Sequence, residues 1–137
     1  QDFRNNDSSL KYQPIKKMSK LTTTLLNSIN LSLVKEARIT NFNYLHRNLS
    51  DRNKLEIDIN LESVPLVYPF LVDNGKEVRK TLIENNVFVA TYWNEVLHLV
   101  NEHSVEAELV NNLVAIPIDQ RYNIVEMTYI LAVLDSV

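Results

Sequence analysis

The chain has no cysteine. Disulfides, thiolate metal sites and thiol nucleophiles are excluded together, and the absence fits a reducing, cytoplasmic setting. Glycine is nearly absent too, with Gly75 alone. Phosphate-cradling loops need glycine for close backbone approach and positive φ, so a self-contained nucleotide-binding domain is not expected. No apolar run approaches the roughly 20 residues that span a bilayer. The polar start, QDFRNNDSSLKYQ, is no signal peptide. It lacks an initiator Met, so the chain is expected to be processed or cut from something longer. Excess charge of one sign is missing as well. The formal net charge of −3 predicts neither nucleic acid nor an anionic membrane as partner.

What is present is enough for one core: 137 residues, 45% of them hydrophobic. Residues 1–18 show no periodicity, and Pro14 breaks any early helix, so they read as an extended arm before a single domain, 19–137. From Ser19, leucines and other apolar residues recur at helical spacing as far as Leu49. This predicts a long helix or a helix pair with a break near Asn30-Leu31-Ser32. LEIDINL (55–61) reads as a strand or an extended lead-in. VPLVYPFLV (64–72) reads as a strand at an edge or with a bulge, because Pro65 and Pro69 cannot donate to a ladder. VFVATYW (87–93) and LVAIPI (113–118) are the next strands. Helices begin after Asn74, Ser104 and Asn123, and Asn74/Glu77 and Asn123/Glu126 have capping-box spacing. Val78, Leu82 and Ile83 are expected to face inward. The class is α+β: a small, mostly antiparallel sheet flanked by helices and opened by the long N-terminal helix.

Few residues suggest chemistry. His46, His98 and His103 have neither the partners nor the spacing of a metal site. No nucleophile elbow is present, and most carboxylates sit in first turns or on polar faces. No catalytic, cofactor-binding or metal-ligating residue is therefore assigned. Two strand-end clusters stand out, Thr91-Tyr92-Trp93-Asn94 and Asp119-Gln120-Arg121-Tyr122. Strand-end loops concentrate binding groups. Tyr and Trp offer rigid stacking area, and Arg captures phosphate or carboxylate. The plainer alternative is that Trp93 and Tyr122 are rim aromatics and that Arg121 pairs with an acid.

In order, KKMSKLTTTLLNSINLSLVKEARITNFNYLHRNL, VPLVYPFLVDNGKEVRKTLIENNVFVATYW and ELVNNLVAIPIDQRYNIVEMTYILAVL resemble the C-terminal part of the DegT/StrS-type sugar aminotransferases. The resemblance covers residues 14–135. It rests on the order and spacing of a Met-Ser pair, an aromatic-x-x-Leu, a Tyr-Pro strand and a Leu/Ile-Pro-Ile strand with a polar corner. It implies the small domain of a pyridoxal-phosphate enzyme that aminates a nucleotide-linked keto sugar. The cofactor and its Schiff-base lysine would then belong to a large N-terminal domain outside this chain, with a second subunit completing the site. Tyr92, Trp93, Arg121 and Tyr122 would face the sugar nucleotide. The chain departs from the family at two places. Ile15 and Lys17 stand where members carry Asn and Arg before the Met-Ser pair, and Thr91 stands where many have His. The cofactor contact from that side is left open. A stand-alone interaction module sharing the fold, and a truncated inactive product, are the competing expectations.

Overall fold

The structure is a computed structural model that describes residues 2–58 and 63–137. The chain divides into two units, residues 1–30 and 31–137. The division falls at Asn30–Leu31.

The first unit is helical. α1 spans Asp2–Leu10 and α2 spans Lys20–Asn27. The arm is thus a helix at its start, not extended. Residues 5–10 are all exposed, and Leu10 is the one apolar residue among them, so this stretch leaves no periodic signature to read. Ser19 caps α2 by accepting from the Thr22 N–H at 3.0 Å. At the other end the Ser28 hydroxyl donates to the Leu25 carbonyl at 2.7 Å, a local bond that competes with helix continuation. α2 buries none of its residues, and Leu21 and Leu25 are exposed.

The second unit opens with α3, Leu31–Leu49, so the expected long helix is a pair broken at 28–30. α3 is followed by a 3-10 turn at Ser50–Arg52. Next come β1 (Val67–Leu71), α4 (Gly75–Glu84), a second 3-10 turn (Asn94–His98), α5 (Val105–Asn112), β2 (Leu113–Pro117) and α6 (Ile124–Leu134). β1 and β2 pair antiparallel, from Val67 opposite Pro117 to Leu71 opposite Leu113. Tyr68, Phe70, Val114 and Ile116 turn to one face and are buried against Phe42, Leu45 and Leu49 of α3, Val78 and Leu82 of α4 and Met127 and Ile130 of α6. Val67, Pro69, Ala115 and Pro117 alternate to the other face.

Pro69 explains which side of β1 is the edge. Its missing N–H points away from β2, toward Asn53. The Asn53 amide donates to the Pro69 carbonyl at 2.8 Å and accepts from the Leu71 N–H at 2.9 Å. One side chain thus takes the place of an adjoining strand and blunts the edge. Arg52 holds the far end of α6, donating to the Leu134 carbonyl at 2.9 Å and to Asp135 at 2.7 Å. At the near end Asn123 and Glu126 form the capping box the sequence predicts. Ser104 caps α5 as expected.

Several expectations are corrected. Residues 87–93 form no strand; they meet β2 only at the Ala90–Ala115 bridge. Val87 and Val89 are buried and Phe88 is 80% exposed, so the alternation is real although no continuous ladder forms. The segment lies between two left-handed residues, Asn86 (φ 61°) and Trp93 (φ 54°), where the chain turns at either end of it. Leu55–Asp58 carry no strand, and the rest of the expected 55–61 strand lies outside the described residues. Asn74 makes no side-chain cap. Ile83 is half-exposed rather than inward.

The single glycine is explained by packing, not by φ. A β-carbon on Gly75 would fall on the Asn112 carbonyl oxygen and Cα, well inside contact distance. The same junction is held by Arg79, whose buried guanidinium donates to the carbonyls of Leu113 (2.9 Å) and Asn111 (2.5 Å) at the end of α5. Burial lowers the Arg79 pKa, and these carbonyls are the partners that make a buried cation tolerable. Gly75→Ala must push rigid backbone apart. It is expected to destabilise the protein by about 3 kcal/mol, read as a lower urea midpoint with unchanged slope. A variant as stable as the parent would contradict the close approach of α4 and α5.

Candidate functional site

The corner after β2 is built from the helix side. Asn41 lies one turn from Ala37 and from Leu45 on the buried stripe of α3 and is 2% exposed. Its amide N–H group faces three carbonyls, of Tyr122 (3.0 Å), Ile118 (3.3 Å) and Asp119 (3.4 Å). A turn closes between them, the Tyr122 N–H donating to the Asp119 carbonyl at 3.1 Å. The Asp119 carboxylate, 15% exposed, accepts from Arg121 at Nε (2.7 Å), Nη2 (2.9 Å) and the backbone N–H (3.1 Å). This two-pronged pairing is the geometry Arg and carboxylate prefer. The guanidinium also lies 5.7 Å from the Tyr122 ring centre. Arg121 itself is exposed, and its Nη1 has no partner among the described residues.

The plainer alternative for this corner is therefore present in part: Arg121 does pair with an acid. The α6 N-terminus is also occupied, since Asn123 accepts from the Val125 N–H and Glu126 from the Asn123 N–H, both at 2.8 Å.

The second cluster sits where residues 87–93 end. The Tyr92 and Trp93 rings are 5.6 Å apart and tilted by 46°. Trp93 is 63% exposed in a left-handed conformation. A bulky residue there is strained. Its carbonyl accepts from the Val96 N–H at 2.9 Å, opening the 3-10 turn.

Only part of the sequence-predicted set is brought together. Tyr92 lines a hollow of about 200 Å³ with Asp119, Arg38, Leu66, Val67, Phe88, Ala90, Ala115 and Pro117, on the sheet face away from the core. Tyr122 lines a different hollow, also about 200 Å³, with Asn85, Asn86, Tyr129 and Glu126. Phe88 and Pro117 are common to both. Trp93 and Arg121 line neither.

Two residues that sequence reasoning passed over organise the site. Arg38, one turn before Asn41 on α3, donates from Nη1 to the carbonyls of Leu66 (3.1 Å) and Pro65 (3.2 Å). Together Arg38 and Asn41 tie the start of β1 and the exit of β2 to one helix. The available signal was a polar residue, Asn41, on an otherwise apolar helical stripe.

Other chemistry is not supported. Among the described residues no group of His, Cys, Asp and Glu could hold a metal ion. His46 packs against Phe42 and Tyr68, and His98 and His103 are exposed. Every lysine is exposed, and none lines either of these two hollows. A Schiff-base lysine is activated by desolvation in a pocket, and the residues lining these two hollows supply none. A more apolar hollow of about 280 Å³ lies beside Ile39, Phe42, Ile57 and Pro69. No helix among the described residues is long and apolar enough to cross a membrane. No family model, no curated protein and no solved structure matches this chain.

The Arg121 hydrogen bonds hold the Asp119 carboxyl below the ordinary carboxylate range. The folded state therefore binds this proton more weakly than the unfolded one. The stability that Asp119 contributes is full above the unfolded pKa of about 4 and is lost as pH falls below it toward the folded value. Asp119→Asn is expected to lower stability at pH 7, with the gap to the parent closing below about pH 4. A gap that persists unchanged at acid pH would show that the ion pair is not its source.

Proposed function

We propose that this chain is the substrate-side small domain of a pyridoxal-phosphate-dependent aminotransferase that acts on a nucleotide-linked keto sugar. The sequence resemblance over residues 14–135 supplies the class. The observation that carries it to a site is the corner at Asp119–Tyr122, where buried Asn41 pins the backbone and Arg121 is presented to solvent with Nη1 unpaired. Arg121 and Tyr122 on one side, and Tyr92 and Trp93 on the other, are the groups that would face the ligand. The cofactor would be carried by a large N-terminal domain outside this chain, and a second subunit would complete the site. No catalytic step is assigned to the residues of this chain.

A second reading is favoured by a separate observation. α2 buries none of its residues, and Leu21, Leu25 and Leu26 are exposed in succession along it. Such a surface suits a protein partner. In this reading the chain is a stand-alone interaction module that has the fold without the activity.

Trp93 is the one tryptophan, so its fluorescence reports on this site alone. Titration with UDP-glucose is expected to quench it saturably. Arg121→Ala is expected to weaken that binding by about tenfold or more, the loss of a charge-assisted hydrogen bond, while Asp119→Asn, which breaks the same ion pair, serves as the control for the stability that both variants lose. Unresponsive fluorescence at millimolar ligand, together with concentration-dependent self-association, would favour the interaction module.

A further inference from the structure

Arg121 has its charge met by Asp119, and it lies outside the hollow. The cation inside is Arg38. Its guanidinium is part-buried, and Nη1 alone is engaged, by the Pro65 and Leu66 carbonyls. Those carbonyls are neutral, and no carboxylate forms an ion pair with Arg38 among the described residues. The one acid lining the hollow, Asp119, is already held two-pronged by Arg121. The hollow therefore contains a guanidinium with donors to spare, whose charge bears on Asp119 without an ion pair between them. Its remaining walls are apolar or aromatic: Leu66, Val67, Phe88, Tyr92 and Pro117.

We infer that Arg38 is the anion-recognising residue of this site and takes one phosphate or carboxylate of a ligand whose ring lies against Tyr92 and Phe88. A part-buried guanidinium with open donors suits an oxyanion, because neighbouring apolar walls strengthen the interaction. Size limits the ligand. The hollow, about 200 Å³, is smaller than the ~300–1,000 Å³ of sites that enclose a drug-sized molecule. It has room for one ring and one anionic group. The rest of a larger ligand would lie outside, within reach of Arg121 at the exposed corner. The assignment of that ligand to the nucleotide sugars rests on the function proposed above; the role of Arg38 as anion holder does not.

The test uses the whole chain with two probes, inorganic pyrophosphate and UDP-glucose, and follows the Arg38 side-chain Nε–H resonance. This readout needs no variant. Both probes are expected to shift it, with UDP-glucose binding the more tightly. Arg38→Gln is expected to weaken pyrophosphate binding by about tenfold or more. Because Arg38 also holds the Pro65 and Leu66 carbonyls, Arg38→Lys serves as the second variant: it keeps the charge and should retain part of the binding. If pyrophosphate shifts Arg38 but UDP-glucose binds no better, the inference stands and the nucleotide-sugar reading falls. If UDP-glucose binds while Arg38 is unmoved, the inference is overturned and that reading stands. If neither probe moves Arg38 or quenches Trp93, both are overturned.

Discussion

The side-chain amide of Asn41 reaches from α3 to the carbonyls of Ile118, Asp119 and Tyr122, and the course of the chain after β2 depends on it. β2 leaves the sheet through Pro117 and buried Ile118. The carbonyls that follow have no ladder partner, and a buried unpaired carbonyl costs on the order of 1–3 kcal/mol. Asn41 meets them with one amide from a helix already locked into the core by Phe42, Leu45 and Leu49. The turn that results sets Asp119 against the hollow and Arg121 outside it. Asn123 can then cap α6 in the right place. Arg38, one turn earlier, does the same for the approach to β1. One helix therefore sets both chain segments that border the site.

The sheet makes this possible by being helix-covered on one face. α3, α4 and α6 pack on the side of Tyr68, Phe70, Val114 and Ile116. The other face presents Val67, Pro69, Ala115 and Pro117, and the hollow opens over it, with Phe88 standing at 80% exposure beside it. The edges are handled separately. Asn53 closes the outer edge of β1, and residues 87–93 touch β2 at a single bridge. Left-handed Asn86 and Trp93 bound that segment, which Val87 and Val89 anchor in the core. It carries Tyr92 to the hollow and leaves Trp93 in solvent.

Much of this was legible in the sequence wherever a local rule decides the outcome. The caps at Ser104 and Asn123 follow from side-chain chemistry within a few residues. The break between α2 and α3 follows from a register slip, and the edge position of β1 follows from Pro69. The failures lie where the deciding interaction is long-range or leaves no pattern. Residues 5–10 of α1 offer a single apolar residue, Leu10, and so no periodicity to find. Residues 87–93 have the alternation of a strand, but ladder formation depends on how they meet β2. Gly75 is demanded by Asn112, far away in sequence. At the site, Tyr92 and the 119–122 corner stood out because aromatic and charged residues at strand ends are visible in one dimension. Arg38 and Asn41 did not, because their roles come from acceptors 27 to 81 residues away.

The central claim is that the rim organised by α3 is a ligand-binding site. A crystal structure of the chain soaked with UDP-glucose tests it most directly. The account predicts a phosphate at the open donors of Arg38 and a ring against Tyr92 and Phe88. Ligand density confined to the apolar hollow beside Ile57, or seated away from Arg38 altogether, would contradict it.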